Sequence, residues 1–188
     1  MKYFTSDTHF GHSNVIRYCT RPFVDVIEMN RVMLSNMQQV LCDDDELYFL
    51  GDWCMNLKYY SMIKDVPFKH LYFVLGNHDK SARLSKQIVA DGIESQVSVV
   101  NEMTVRLDGR DFFLVHRPVM GSDSMPTLCG HVHEKWRFQP PGVELREYKY
   151  KDEHMVKTLK QPVLNVGVDQ HDFRPISEEE VLEFFTGF

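Results

Sequence analysis

Cysteine is scarce in this sequence and never occurs in a closely spaced pair. Cys19, Cys42, Cys54 and Cys129 are scattered along 188 residues, and no Cys-X-X-Cys pair is present. Zinc-finger and thioredoxin-like functions depend on such pairs and are therefore excluded. Scattered thiols are typical of reduced, structural cysteines, so we expect a cytosolic protein without a disulfide framework.

Long apolar runs are also lacking. No stretch approaches the roughly 20 apolar residues that a transmembrane helix needs. The first six residues are strand-like and carry neither the basic nor the apolar region of a secretory leader. We therefore expect a cytoplasmic protein with no membrane partner. Repeats, linkers and low-complexity tracts are missing as well, so residues 1–188 are interpreted as a single domain.

Positive charge is in deficit, with a formal net charge of −6 at pH 7. A long groove for non-specific nucleic-acid binding needs a basic stripe, and this balance argues against one. It leaves open a short nucleotide or a strand end as the substrate. Hydrophobic residues make up 43% and charged residues 26% of the sequence, as in an ordinary soluble globular protein.

A short apolar run, Leu71 to Leu75, leads directly into polar residues that suit a metal site. The run is too short for a typical helix and apolar on both faces, which indicates a buried parallel strand. Gly76 then permits a tight turn, and Asn77, His78 and Asp79 follow. Open α/β sheets bind their ligands at the carboxyl ends of strands, so these side chains are candidates for a binding site.

Two earlier strands end in the same way. Lys2 to Ser6 is followed by Asp7 and His9, and Leu47 to Leu50 is followed by a glycine and Asp52. Either aspartate alone can be read as the cap of the next helix. A cap explains Asp7 but not His9, whereas a metal site explains both. The intervening helical patterns give a β-α-β alternation, which favours a parallel sheet.

Histidines stand at the ends of two later strands. The strand Asp111 to His116 ends in His116, and the run Thr127 to Cys129 leads into Gly-His131-Val-His133. A buried core histidine accounts for one of these residues but not for a pair two positions apart. Both histidines of the pair point the same way and can reach one centre.

The resulting donor set is rich in nitrogen and oxygen and contains no cysteine, which suits manganese, iron, zinc or nickel. It exceeds what one tetrahedral ion takes and fits two ions that share a carboxylate, about 3.5–4 Å apart. Such a centre keeps net positive charge and should attract an anion such as phosphate. The candidate ligands are Asp7, His9, Asp52, Asn77, His116, His131 and His133.

These blocks, in this order, resemble the signature of the calcineurin-like metallophosphoesterase superfamily, and the compact size is similar to small bacterial and phage members. The resemblance implies a four-layer α/β/β/α sandwich of two mixed β-sheets flanked by helices. It assigns one ion to Asp7, His9, Asp52 and His133, and a second ion to Asp52, Asn77, His116 and His131. It also implies that His78 is the general acid and that Asp79 orients it.

We therefore expect a dinuclear, metal-dependent phosphoesterase, most simply with manganese, in which a metal-bridged hydroxide attacks a phosphodiester or phosphomonoester. The expected substrate is a small phosphoester or nucleotide, and the oligomeric state is left open. One alternative is a nuclease that acts on single-stranded DNA or RNA or on strand ends. Another is a non-catalytic scaffold of the same fold. A patch for the nuclease would use Arg17, Arg21, Arg83, Arg117, Lys135 and Arg137.

Residues 134–161 have no clear periodicity and are rich in charged and aromatic side chains. The segment is interpreted either as a β-excursion or lid over the site, or as a solvated hairpin.

Overall fold

The computed structural model describes residues 1–148 and 154–188. The α-helices in these ranges are α1 (Ser13–Tyr18), α2 (Val26–Val40), α3 (Ser81–Ala90) and α4 (Glu178–Phe184). Short 3₁₀ helices occur at Leu57–Asp65, Pro118–Met120, His133–Lys135 and Val168–Gln170. The strands are β1 (Lys2–Thr5), β2 (Glu46–Phe49), β3 (His70–Val74), β4 (Val97–Val100), β5 (Glu102–Leu107), β6 (Arg110–Val115), β7 (Thr127–Cys129), β8 (Phe138–Gln139), β9 (Glu144–Tyr148), β10 (His154–Thr158), β11 (Val163–Asn165) and β12 (Ile176–Ser177).

The first sheet has the strand order β12-β1-β2-β3-β4. Strands β1 to β4 run parallel, and β12 is antiparallel to β1. Strand β2 is apolar from Leu47 to Phe49. Leu47 and Phe49 pack into a core beneath the helices, while Tyr48 packs into a second core on the opposite face. Because both faces of this strand are covered, alternation with polar residues is absent.

The second sheet has the order β5-β6-β7-β11-β8. Strands β6, β7 and β11 run parallel, whereas β5 and β8 are antiparallel edge strands. The carboxyl ends of β6, β7 and β11 therefore point to one edge of this sheet, as those of β1 to β3 do in the first sheet. The loops at these ends supply the side chains of the candidate site.

Among the described residues, apolar cores join the helices and the two sheets. One core lies between the helices and the first sheet, and it includes Met29, Met33 and Met37 at helical spacing on α2. A second core lies between the two sheets, where Phe4 of β1 packs in the same cluster as Phe112 of β6. The predicted α/β sandwich with two mixed sheets is confirmed.

A smaller apolar cluster lies on the outer side of the second sheet. It joins Cys129 and Val163 of that sheet to Val119, Leu145 and Leu159. Leu145 belongs to β9, which forms an antiparallel hairpin with β10. The hairpin therefore packs against the sandwich through a buried side chain. Residues 149–153, within the segment 134–161, lie outside the described residues, and the expected lid role stays a prediction.

Helix ends follow their sequence signals. The Asp25 side chain caps α2 by accepting hydrogen bonds from the backbone N–H groups of Ile27 and Glu28. Ser177 and Glu180 form a capping box at α4, as their spacing predicts. Between β2 and β3 the chain forms a 3₁₀ helix, Leu57–Asp65.

Within the described ranges, no helix has the length and apolar character needed to cross a membrane. Each of the four cysteines is free.

Candidate metal centre

The loops after β1 and β2 are hydrogen-bonded to each other. Asp7 N–H donates to Gly51 O at 2.9 Å, and His9 N–H donates to Asp52 O at 3.0 Å. The chain after β11 joins the same edge, because Ser6 and Gly167 form a parallel bridge. These backbone contacts hold the candidate ligands of one sheet against the edge of the other.

The site concentrates backbone strain. Asp7, His9, Asp52, His131 and His133 all have positive φ, between 50° and 73°. L-residues other than glycine rarely adopt this left-handed region, and each such residue adds a free-energy cost of order 1 kcal/mol or more. Such conformations persist only where surrounding contacts enforce them. Their concentration at these five positions points to a functional site.

Two glycines let the loops approach closely. A Cβ on Gly76 would collide with the Asp52 carboxylate, and a Cβ on Gly130 would collide with the Asp7 carboxylate and the Ser6 hydroxyl. Each aspartate therefore lies directly against a backbone that has no side chain. These glycines are needed for close packing around the carboxylates.

Asp7, His9 and His133 form the first group of potential ligands. Asp7 Oδ1 lies 3.9 Å from His9 Nε2 and 3.9 Å from His133 Nε2. The other carboxylate oxygen, Oδ2, accepts hydrogen bonds from Ser6 Oγ at 2.6 Å and from His131 N at 2.9 Å. The carboxylate is thus held through Oδ2, which leaves Oδ1 directed at the two imidazoles.

Asp52, His116 and His131 form the second group. His116 Nδ1 donates to Leu50 O at 2.7 Å, so Nε2 is the nitrogen that remains to bind a cation once its proton is lost. That Nε2 lies 3.3 Å from Asp52 Oδ2 and 3.1 Å from Asn77 Oδ1. A cation among these atoms would meet a carboxylate, an imidazole and an amide oxygen.

Asp52 lies between the two groups. Its Oδ2 is 3.6 Å from His9 Nε2 in the first group and 3.3 Å from His116 Nε2 in the second. Its Oδ1 accepts a hydrogen bond from His78 N at 2.9 Å. One carboxylate oxygen therefore faces both sets of histidines, as a shared ligand must.

The positions of the ligand atoms suit a shared cation better than they suit direct hydrogen bonds between the side chains. Asp7 Oδ1 and both ring nitrogens of His9 are buried and have no hydrogen-bond partner among the described residues. Unpartnered buried polar atoms are unfavourable, and a bound cation would satisfy Asp7 Oδ1 and one His9 nitrogen together. These buried histidines and aspartates can hold metal ions.

The histidine pKa values show how charge is balanced in the metal-free site. Burial lowers the pKa of His9 to about 3, against the raising effect of Asp7 and Asp52. Burial also opposes the charge on His116, but the hydrogen bond and charge of Asp52 raise its pKa to about 9. For His133, burial is outweighed by the hydrogen bond to Asp169, and the pKa is raised to about 11. Protons on His116 and His133 therefore offset the carboxylates.

His78 and Asp79 occupy different settings. The His78 side chain is 44% exposed, with Nε2 4.0 Å from Asp52 Oδ2. The half-buried Asp79 carboxylate instead lies between the loops, where it accepts from the N–H groups of Asp52 at 2.7 Å and Gly76 at 2.9 Å. Tyr60 Oη and Trp53 N also donate to it.

The expected contact from Asp79 to the His78 ring is not among the hydrogen bonds of the described residues. Four donors instead surround the Asp79 carboxylate, and three of them are backbone N–H groups of the adjoining loops. The residue therefore fixes the Asp52 loop against Gly76.

Two carboxylates that no sequence pattern marks lie beside the histidine pair. Asp169 Oδ2 lies 3.0 Å from His133 Nδ1, and Glu147 Oε1 lies 3.0 Å from His131 Nε2. An arginine supports each one. Arg21 binds Asp169 through Nε at 2.7 Å and through Nη2 at 2.8 Å, and Arg117 contacts Glu147. Neither acid lies in a recognisable motif.

Cavities open around the histidines. One of about 360 Å³ is lined by His9, His78 and His133 together with His12 and Tyr18. A second, of about 270 Å³, lies beside Asn77 and His116. A third, of about 180 Å³, lies beside His131 and Glu147. The candidate ligands His9, Asn77, His116, His131 and His133 therefore each line one of these cavities.

Comparisons with known proteins support the fold and leave the activity open. No protein-family model matches the chain. The chain is 28% identical over 191 aligned positions to an uncharacterized protein of Methanocaldococcus jannaschii, covering 96% of this chain and 89% of that one. It is also similar to the crystal structure of a protein of unknown function from Aquifex aeolicus, with a TM-score of 0.66, 23% identity, and coverage of 97% and 98%.

A solved archaeal phosphodiesterase gives a TM-score of 0.45 at 16% identity, covering 88% of this chain and 82% of that one. This likeness is too distant to bear on function. The Aquifex likeness shows that another protein shares the fold across nearly its whole length.

Proposed function

We propose that this protein is a metal-dependent phosphoesterase with two divalent ions bridged by Asp52. The observation that carries the proposal is the position of Asp52 Oδ2, 3.6 Å from His9 Nε2 and 3.3 Å from His116 Nε2. The motif resemblance to calcineurin-like metallophosphoesterases supports the same assignment. Manganese fits the mixed carboxylate, amide and imidazole donors, as do iron, zinc and nickel.

The ligand groups follow the two clusters. Asp7, His9, Asp52 and His133 would hold one ion, and Asp52, Asn77, His116 and His131 would hold the other. When bound, the ions supply a water-derived nucleophile at neutral pH and neutralise the charge of phosphate oxygens. The acceptors Leu50 O and Asp169 Oδ2 fix the rings of His116 and His133, so that each presents Nε2 to the centre.

His78 is assigned the role of general acid. Its ring is exposed, lines the 360 Å³ cavity, and packs edge-on against His9 with ring centroids 5.5 Å apart. A side chain there can deliver a proton to a leaving oxygen at the cavity mouth. A general acid must lie within hydrogen-bond reach of that oxygen, and an exposed ring can rotate to achieve this.

The substrate is proposed to be a small or terminal phosphoester, with a phosphodiester or cyclic nucleotide ahead of a monoester. A nuclease role has less support. Arg21 is buried at 4% exposure and bound to Asp169, and Arg117 is paired with Glu147. Because both arginines are already paired, neither is free to bind a nucleic-acid strand. The basic patch considered for a nuclease therefore loses two of its members.

The test is a hydrolysis panel with purified protein loaded with manganese, and separately with iron, zinc or nickel. The panel should contain p-nitrophenyl phosphate, bis(p-nitrophenyl) phosphate, cyclic nucleotides, nucleoside esters and single-stranded DNA and RNA. We expect turnover of small esters that a chelator abolishes and added metal restores. Cleavage of DNA or RNA alone would favour the nuclease. A metal-loaded protein inert across the whole panel would favour the non-catalytic scaffold.

A further inference from the structure

Strand β9 carries an acid on its buried face. Along this strand Leu145 and Glu147 are buried, whereas Glu144 and Arg146 are exposed and paired with each other at 2.6 Å. Side chains two apart on a strand share a face, so Glu147 faces the sandwich beside the anchoring Leu145. A carboxylate that is 7% exposed is unfavourable there unless it has specific partners.

The partners of Glu147 lie at the candidate metal centre. Its Oε1 is 3.0 Å from His131 Nε2, and the guanidinium of Arg117 contacts the same oxygen. Arg117 directly follows the candidate ligand His116. The second oxygen, Oε2, is buried without a hydrogen-bond partner among the described residues. The hairpin β9–β10 thus delivers a charged group to the half of the centre that contains His116 and His131.

The other half of the centre has the same arrangement. His133 Nδ1 donates to Asp169, and the Arg21 guanidinium binds that carboxylate. Both histidines of the Gly-His-Val-His block are therefore backed by a carboxylate, which is in turn held by an arginine. A carboxylate behind a ligating histidine fixes its tautomer and ring orientation and strengthens the metal bond.

We propose that Glu147 is a positioning residue for His131, and that the hairpin thereby completes the metal site formed by Asp52, Asn77, His116 and His131. Donation from His131 Nε2–H to Glu147 leaves Nδ1 with the lone pair that a cation needs. Arg117 neutralises the buried carboxylate. This inference rests on the proposed metal centre and adds a residue to it that the motif resemblance does not contain.

The experiment compares Glu147→Ala and Glu147→Gln with wild type in metal-free protein titrated with manganese and with zinc. The matched control is Glu144→Ala, on the same strand but exposed. We expect two classes of site in wild type, and a loss of about 10- to 100-fold in affinity at one class in Glu147→Ala. Glu147→Gln keeps an oxygen acceptor for Nε2–H and should lose much less affinity. Glu144→Ala should match wild type.

Several outcomes would overturn the inference. Unchanged affinities in a folded Glu147→Ala variant would show that His131 needs no such partner. A Glu147→Gln variant as defective as Glu147→Ala would contradict a role through the His131 hydrogen bond. A wild type that binds no divalent ion would overturn the proposed function, and the inference with it. If wild type binds metal and the Glu147 variants bind it with the same affinity, the inference fails while the proposed function stands.

A second measurement needs no variant and applies even if Glu147→Ala does not fold. Nitrogen NMR of the zinc-loaded wild-type protein reports which ring nitrogen of His131 carries the proton. We expect a proton on Nε2, the atom that faces Glu147. A proton on Nδ1 would overturn the assignment.

Discussion

His133 Nδ1 lies 3.0 Å from Asp169 Oδ2, and this contact joins the Gly-His-Val-His block to the chain after β11. The carboxylate is nearly inaccessible, with 2% of its side chain exposed. Its other contacts are to Arg21, which also donates to the backbone oxygens of Asp7 and Thr8. One buried ion pair therefore supports both a candidate ligand and the loop that bears another.

Asp169→Ala should damage stability and metal binding together. Removing the carboxylate leaves Arg21 charged and unpaired in a buried place, which destabilises a protein by about 3–5 kcal/mol. Affinity at the site of Asp7, His9 and His133 should fall about 10- to 100-fold. Thermal denaturation and metal titration measure the two effects. Asp172→Asn, an exposed change nearby, is the control, and an Asp169→Ala variant that matches it would contradict this role.

Asp52→Ala should release both ions, because one oxygen faces both histidine groups. His133→Ala should weaken mainly one. Elemental analysis after dialysis of wild type and the two variants gives the ions per chain. Retention of two ions per chain with full activity in Asp52→Ala would show that the bridged assignment is wrong.

His78→Ala should leave the metal content nearly intact and slow hydrolysis by about 10²–10⁴. The defect should be severe for alkyl or nucleoside esters and mild for bis(p-nitrophenyl) phosphate, because nitrophenolate leaves without a proton. The test measures hydrolysis rates on both substrate types and the metal content of the same samples. An equal defect on both with two ions still bound would remove the general-acid role and leave the metal centre intact.

Asp79→Asn should behave as a change in the Asp52 loop. The carboxylate accepts from Asp52 N, Gly76 N and Tyr60 Oη, and an amide has one acceptor oxygen in place of two. We expect a lower melting temperature and weaker metal binding, with the ratio of rates on alkyl and nitrophenyl esters unchanged. A shift in that ratio like that of His78→Ala would restore the original expectation that Asp79 orients His78.

Metal binding should release protons, and affinity should rise with pH. In the metal-free protein the pKa of His116 is raised to about 9 and that of His133 to about 11, so both rings are protonated near pH 7.5. A ring nitrogen must be unprotonated to bind a cation, so the metal-free form carries more protons than the loaded form. Titration calorimetry in two buffers of different ionisation enthalpy counts the protons. Zero release with an affinity that does not vary from pH 6 to 8 would contradict these pKa values.

The candidate site could be predicted from the sequence because its residues follow the ends of strands. Asp7, Asp52 and Asn77 each follow a short apolar strand, and parallel pairing brings such ends to one edge whatever the rest of the chain does. The α/β sandwich was predictable for the same reason, together with the motif resemblance. The assignment of individual ligand roles stays a prediction.

Side chains that act through neighbours in the tertiary structure could not be predicted from the sequence. Asp169 and Glu147 resemble ordinary surface acids until the fold places a histidine and an arginine beside each. Arg21 was considered for a surface patch because its charge suggests exposure, and only the buried Asp169 explains its position. Asp79 follows His78 in sequence, yet the backbone turn directs its carboxylate to the Asp52 loop.

The candidate ligands come from loops that are distant in the chain and from both sheets, which has a kinetic consequence. Asp7 and Asp52 belong to the edge of the first sheet, and His116 and His131 to that of the second. A cation therefore meets its full ligand set only after the two sheets have packed together. We expect this assembly to follow the folding transition state, and interactions that form after that state slow unfolding and hardly change the folding rate. Metal should thus lengthen the lifetime of the folded protein in denaturant without speeding its refolding.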